Sequence, residues 1–220
     1  MAMAIDFAAA RQKMVDNQIR TSDVTSHSVL KAFLSVAREE FVPQAARSLA
    51  YVDTDIEIAP GRYLAAAAPL AKLLQAAQIT RSDVVLEIGC GSGYVAALLS
   101  RLAGSVVSVE SDAGLAASAG ERLSAGGYDN VAVVTGDLAE GYAADAPYDL
   151  IFVNGAVDVV PMSLFTQLRE GGRLIAVVGR GGAAQATLYV RLGDTFSGRP
   201  LFNAALKPLP GFTLKPEFVF

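Results

Sequence analysis

The segment from residue 84 to residue 94, VVLEIGCGSGY, constrains the fold of this chain more than any other. Its first five residues, mostly β-branched, predict a buried strand, and the three alternating glycines predict a tight turn. The alanine- and leucine-rich run from residue 95 predicts a helix. Glycine lets the backbone approach a ligand closely because it has no side chain. The segment therefore predicts a strand–turn–helix unit that binds a nucleotide-like cofactor.

The same alternation continues along the rest of the chain. Further strand-like runs lie at 105–109, 131–134, 149–153 and 173–178, and helical segments near 94–103, 112–126 and 160–169 separate them. Alternation of this kind predicts a mostly parallel, doubly wound α/β sheet. Strand-like runs at 186–192 and 201–207 are joined by a polar segment, 193–198, that is too short for a helix. They predict an antiparallel hairpin at the sheet edge.

The N-terminal third of the chain predicts a helical extension. An amphipathic pattern near residues 7–19 indicates one helix, and a second runs from about 26 to 37. Residues 51–64 are expected to be extended or looped, and Pro69 suits the first turn of a helix that ends near residue 78. We therefore predict two domains: residues 1–78 as a helical extension and substrate-side cap, and residues 79–220 as a Rossmann-like domain.

Composition narrows the class of partner. The chain has 220 residues, is 52% hydrophobic and carries a net charge of −4, so it can bury a large core. It has no run of lysine and arginine, which makes nucleic acid and anionic membranes poor partners. Cys90 and His27 are the single residues of their types, so neither a disulfide nor a metal site is expected, and His27 is expected at the surface. Because no secretory signal or membrane-spanning stretch is visible, we expect a cytoplasmic location. The oligomeric state stays open.

An acidic residue ahead of the glycines distinguishes between two cofactors. Dinucleotide-binding turns place a pyrophosphate at this point. Glu87 precedes Gly89, Gly91 and Gly93, and its carboxylate would repel a pyrophosphate but favour the ammonium and sulfonium groups of S-adenosylmethionine. We therefore expect S-adenosylmethionine as the cofactor and regard a nicotinamide dinucleotide as the weaker alternative.

Two more strand ends extend the predicted cofactor site. Glu110 ends the second strand of the unit and could accept both ribose hydroxyls, and Asp137 follows the third strand, where it could accept from an adenine amino group. Their alternative roles are a solvated strand end and a turn cap, and Cys90 could simply be a small packing residue. The predicted cofactor-binding residues are Glu87, Gly89, Cys90, Gly91, Gly93, Glu110, Ser111, Gly136, Asp137 and Leu138.

Over about residues 10–180 the chain resembles the protein-L-isoaspartate (D-aspartate) O-methyltransferase family. The glycine motif is shared by most S-adenosylmethionine methyltransferases, so the family-level likeness lies in other segments. These are MVDNQIR at 14–20, VLKAF at 29–33, VAR at 36–38, FVP at 41–43, AYVD at 50–53, GYDNV at 127–131, PYD at 147–149 and QLREGGRL at 167–174. The resemblance implies carboxyl O-methyl transfer to L-isoaspartyl residues of damaged proteins.

One segment departs from the family pattern. The family carries G-x-T-I-S-x-P, whose hydroxyl-bearing residues lie at the methyl-transfer site, whereas here Gly61 is followed by RYLAAAAP. The threonine and serine are missing, and the proline lies two residues further along. A carboxylate acceptor is already ionised at neutral pH, since its pKa is about 4, so its methylation needs alignment rather than a base. We predict Arg62, Tyr63 and Asn154 as substrate-binding residues and assign no catalytic residue.

The altered segment keeps two other functions open. The first is methyl transfer to another protein or to a small molecule, such as a carboxylate, and the apolar wall at residues 64–70 could contact an apolar substrate. The second is a catalytically inactive relative that retains the cofactor pocket, or only the scaffold, for binding or regulation.

Overall fold

The computed structural model describes residues 5–213. The helices are α1 (Phe7–Met14), α2 (His27–Ser35), α3 (Ala67–Ala76), α4 (Tyr94–Ser100), α5 (Ala113–Ala125) and α6 (Met162–Thr166). The strands are β1 (Ile56–Ala59), β2 (Arg62–Leu64), β3 (Val84–Ile88), β4 (Ser105–Glu110), β5 (Val131–Thr135), β6 (Tyr148–Val157), β7 (Leu168–Val178), β8 (Gln185–Leu192) and β9 (Thr195–Asn203). A π-helical turn, Val15–Ile19, continues α1.

Seven of these strands form one sheet in the order β5-β4-β3-β6-β7-β8-β9. Strands β3 to β7 pair in parallel, and β8 and β9 add an antiparallel hairpin at one edge. The strand order reverses between β3 and β6. In doubly wound sheets this reversal opens a crevice beyond the carboxyl ends of the strands, where ligands bind. The doubly wound α/β fold with an edge hairpin is confirmed.

The sheet buries both of its faces. Val85 of β3 packs in a layer with α1 to α5, whereas Leu86 and Ile88 face a second layer that contains α6, Leu209 and Phe212. Side chains alternate between the two faces of a strand, so a strand covered on both sides needs apolar residues at successive positions. This explains why the parallel strands read as continuous apolar runs.

The second strand of the edge hairpin begins and ends earlier in the chain than predicted. Its second strand runs from Thr195 to Asn203 rather than over 201–207, and a turn at Gly193 and Asp194 replaces the predicted loop 193–198. Gly193 has φ 62°, which allows a tight two-residue hairpin turn. The first half of β9 lies exposed at the sheet edge, so no apolar alternation marks it as strand.

The N-terminal elements follow the prediction closely. Pro69 lies in the first turn of α3, and residues 56–64 form a small hairpin, β1–β2. His27 is exposed at the start of α2, as expected. Residues before and after position 78 share one buried cluster, and the division into two domains stays a prediction. Among residues 5–213, no helix combines the length and hydropathy needed to cross a membrane.

Candidate functional site

The glycine turn between β3 and α4 lies in the crevice at the strand reversal. Gly89, Gly91 and Gly93 have φ values of 89°, 57° and 92°, a region that residues with a Cβ adopt only with strain. At Gly93 a Cβ would also lie 3.3 Å from the side chains of Ala119 and Leu123 in α5. The three glycines are therefore explained by the turn itself and by the close packing of α5.

Glu87 lies beneath this turn and is fully buried. Its Oε2 accepts a hydrogen bond from the Ser108 hydroxyl at 2.6 Å, and its Oε1 accepts one from Asn154 Nδ2 at 3.0 Å. Burial raises the pKa of Glu87 to about 8, although the bonds from Ser108 and Asn154 oppose the rise. Asn154 also donates to the Gly89 carbonyl at 3.0 Å. The predicted cation contact of Glu87 stays a prediction, while its visible contacts hold Asn154 against the turn.

Glu110 stands at the end of β4, directly beside the turn, and is also fully buried. Its Oε2 accepts from the Gly91 N–H at 2.7 Å, and its Oε1 accepts from the N–H groups of Ser111 and Asp112 at 2.8 and 3.1 Å. The Arg62 guanidinium binds both oxygens, with Nη2 2.6 Å from Oε2. Burial alone would raise the pKa of Glu110, but the hydrogen bonds and charge of Arg62 lower it below its ordinary value.

Three side chains from distant segments cover the glycine turn. Ile58 of β1 approaches within 2.9 Å of the position that a Cβ on Gly91 would take. Leu209 comes within 2.8 Å of the corresponding position on Gly89, and the Arg62 guanidinium lies 3.6 Å from it. The sequence singled out Arg62 but not Ile58 or Leu209, because no local pattern indicates that these apolar residues fold over the turn.

Arg62 lines two cavities. The inner cavity has a volume of about 20 Å³, room for about one water molecule. The outer groove has a volume of about 500 Å³, which is in the usual range of ligand sites. The inner cavity is lined by Asp55, Gly61, Arg62, Tyr63, Ala65, Asn154, Gly155, Leu206, Lys207, Pro208 and Leu209. The outer groove is lined by Pro60, Gly61, Arg62, Ser111, Asp112, Pro208, Leu209, Pro210 and Thr213.

The remaining predicted residues lie at the same sheet edge. The Gly136 N–H donates to the Glu110 carbonyl at 3.0 Å. Asp137 is exposed and caps its own turn by accepting from the Ala139 N–H at 2.8 Å, whereas Leu138 is buried in the core. Cys90 is also buried, in the core layer of α4.

The predicted substrate-binding residues meet at the inner cavity. Arg62, Tyr63 and Asn154 all line it, and the Lys207 ammonium lies 5.3 Å from the centre of the Tyr63 ring. Lys207 was not predicted as a site residue, because the sequence placed it at the end of an edge strand. The cavity therefore brings two cations, the Asp55 carboxylate, an amide and a phenol together.

A doubly wound sheet with a glycine turn in its crevice and a carboxylate at the end of the next strand defines the Rossmann-like class I S-adenosylmethionine methyltransferase fold. The family model for protein-L-isoaspartate(D-aspartate) O-methyltransferase matches residues 9–207. The chain belongs to this family.

Individual relatives agree with the family match. The protein-L-isoaspartate O-methyltransferase of Koribacter versatilis is 44% identical over 173 residues, which cover 79% of this chain and 78% of the relative. The protein of the same name from Roseiflexus castenholzii is 40% identical over 208 residues, or 94% of each chain.

Solved structures extend the comparison to three dimensions. A structure of a protein-L-isoaspartate O-methyltransferase matches with a TM-score of 0.79 and 31% identity, covering 91% of this chain and 66% of that one. The chain thus spans about two thirds of that protein. A putative protein-L-isoaspartate O-methyltransferase from Plasmodium falciparum, in complex with S-adenosyl-L-homocysteine, matches with a TM-score of 0.75 and 18% identity, which supports the fold alone.

Proposed function

We propose that this chain transfers the methyl group of S-adenosylmethionine to a carboxylate, and that its acceptor is the L-isoaspartyl residue of damaged proteins and peptides. The family match over residues 9–207 carries this proposal. It is supported by the convergence of the glycine turn, Glu110 and the predicted acceptor residues at one crevice. A protein or peptide partner and a cytoplasmic location belong to the same proposal.

The residues at the crevice fit the chemistry of S-adenosylmethionine, although the space above the turn is filled. The glycine turn offers backbone without side chains, Glu110 would accept the ribose hydroxyls, and Asp137 would accept from the adenine amino group. Glu87, buried beneath the turn, would favour the positive charge of the sulfonium. When bound, the cofactor would supply an electrophilic methyl group whose sulfur leaves as a neutral thioether. Its entry requires that Arg62 leave Glu110.

The residues around the inner cavity suit an anionic acceptor, although the cavity, at about 20 Å³, has to widen to admit one. Arg62 and Lys207 bring two positive charges to it against the single carboxylate of Asp55, which already accepts from the Ala66 N–H. Asn154 is held in one orientation by Glu87 and by the Gly89 carbonyl. An ionised carboxylate can attack a methyl group without a base, so the cavity has to align the acceptor rather than deprotonate it. Four residues of the altered segment line the cavity: Gly61, Arg62, Tyr63 and Ala65. We therefore propose Arg62, Tyr63 and Asn154 as acceptor-binding residues.

Two peptides that differ in a single linkage test the acceptor. The chain is incubated with S-adenosylmethionine and either an L-isoaspartyl peptide or the same peptide with a normal aspartyl linkage, and methanol released by base is measured. We expect methanol from the isoaspartyl peptide alone. If the chain binds S-adenosylhomocysteine in calorimetry but methylates neither peptide, the isoaspartyl acceptor is refuted. The assignment of the cofactor would still stand.

One observation favours an inactive relative as a second candidate. The Arg62–Glu110 pair, with Ile58 and Leu209 over the glycine turn, occupies the place at which the nucleoside would bind. An inactive relative would release no methanol from any carboxylate. It would also bind S-adenosylhomocysteine no better after Arg62 is replaced.

A further inference from the structure

Arg62 is bound to the Glu110 carboxylate, which the ribose of the cofactor would need as a hydrogen-bond acceptor. Both terminal nitrogens of its guanidinium bind Glu110, and this pair is almost fully buried, since Arg62 is 9% exposed and Glu110 is 0% exposed. The N–H groups of Gly91, Ser111 and Asp112 donate to the same carboxylate. A carboxylate has about four lone-pair directions, and five N–H donors already share them. Glu110 therefore cannot accept ribose hydroxyls while Arg62 is bound to it.

Arg62 lines both cavities of the site, together with Gly61, Pro208 and Leu209. The outer groove contains Ser111 and Asp112, which directly follow the ribose carboxylate, and the inner cavity contains Tyr63 and Asn154. The guanidinium that holds Glu110 therefore also borders the cavity in which the acceptor would bind.

We propose that Arg62 serves two partners in turn. It pairs with Glu110 until the nucleoside takes that carboxylate, and the released guanidinium then binds the acceptor carboxylate in the inner cavity. The second half rests on the proposed function. The physical reason is that a buried guanidinium is costly without an anionic partner, and the acceptor carboxylate is the anion that the inner cavity would receive.

The exchange has two consequences that can be measured. The apparent affinity for the cofactor is the intrinsic affinity multiplied by the fraction of molecules in which Arg62 has left Glu110. The acceptor binds well only after the cofactor, since only then is the guanidinium free. Arg62 would thus be a positioning residue that fixes the order of binding.

Calorimetric titration with S-adenosylhomocysteine tests the first consequence. We expect Arg62→Met to bind it at least about tenfold more tightly than the wild type, because methionine fills space without pairing with Glu110. Arg62→Lys should bind with intermediate affinity, since an ammonium cannot fork onto both oxygens. Arg47→Met is the matched control, because Arg47 forms a 2.7 Å pair with Glu40 on the surface, and its affinity should equal that of the wild type.

The second consequence is tested by titrating an isoaspartyl peptide with and without saturating S-adenosylhomocysteine. The wild type should bind the peptide at least about tenfold more tightly when S-adenosylhomocysteine is present, and Arg62→Met should lose that gain although it binds the nucleoside better. A residue with a merely structural role would weaken both affinities together.

Each outcome decides a separate statement. Equal or weaker binding of S-adenosylhomocysteine by Arg62→Met overturns the exchange at Glu110, and Arg62→Lys decides this if Arg62→Met does not fold. If Arg62→Met binds S-adenosylhomocysteine more tightly but neither protein binds the isoaspartyl peptide, the release of Arg62 from Glu110 is supported. The isoaspartyl acceptor is then refuted, both in this proposal and in the proposed function.

Discussion

The buried acid beneath the glycine turn makes stability depend on pH. Burial raises the pKa of Glu87 from 4.5 to about 8, against the opposing bonds from Ser108 and Asn154. Between these values the folded chain retains a proton that the unfolded chain has lost, so the free energy of unfolding falls as pH rises. The contribution of Glu87 is fully present below about pH 4.5 and is lost by about pH 8. At 1.36 kcal/mol per tenfold change, the complete loss is about 5 kcal/mol.

Replacing Glu87 with glutamine removes this titration with little change of shape. The amide oxygen can still accept from Asn154, and the amide N–H can donate to the Ser108 hydroxyl, which is able to accept. We expect the free energy of unfolding of Glu87→Gln, relative to that of the wild type, to increase by about 3 to 5 kcal/mol between about pH 5 and pH 9.

Urea unfolding of both proteins across this pH range measures the difference, and most other titrating groups cancel in the comparison. Glu121→Gln is the matched control because Glu121 is exposed on α5, and its difference from the wild type should stay nearly constant. If the Glu87→Gln difference is equally flat, or moves in favour of the wild type at high pH, the argument that burial dominates the pKa of Glu87 is refuted.

Two further substitutions test the packing around the site by urea unfolding. Gly93→Ala should lower the free energy of unfolding by about 1 to 3 kcal/mol, because φ is 92° and a Cβ would lie 3.3 Å from α5 side chains. Gly120→Ala, in open space on α5, should instead raise it by about 0.5 to 1 kcal/mol, and a loss as large as that of Gly93→Ala would contradict the explanation. Arg173→Met should cost about 2 to 4 kcal/mol, because Arg173 joins Asp83 to three backbone carbonyls of two other segments. Arg180→Met removes an ion pair whose arginine is 65% exposed and should change the free energy of unfolding by less than about 1 kcal/mol. Equal losses for Arg173→Met and Arg180→Met would refute the argument that burial makes the Arg173 contacts more stabilising.

The edge hairpin shows where local patterns stop being informative. The parallel strands are recognisable because each is buried on both faces and must be apolar at successive positions. The first half of β9 is exposed at the edge of the sheet, so its sequence resembles a loop. Only its pairing with β8 makes it a strand.

The cofactor and acceptor residues illustrate the same limit at the site. The glycine turn and the strand-end carboxylate could be predicted because they follow directly from neighbouring residues. Their contacts could not: Arg62 meets Glu110 across 48 positions, and Asn154 meets Glu87 across 67. Arg62 and Glu110 were therefore predicted for different ligands, although they form one pair.

The amino-acid sequence by itself determined the strand–turn–helix unit, the doubly wound sheet and the class of cofactor expected at the turn. These depend on backbone propensity and on apolar periodicity, which act over a few residues. The tertiary structure alone decided that Glu87 is buried beneath the turn, that Arg62 closes the crevice and that Ile58 and Leu209 cover the glycines. Those features depend on which strands lie side by side, and burial and charge pairing act between whatever groups the sheet order brings together.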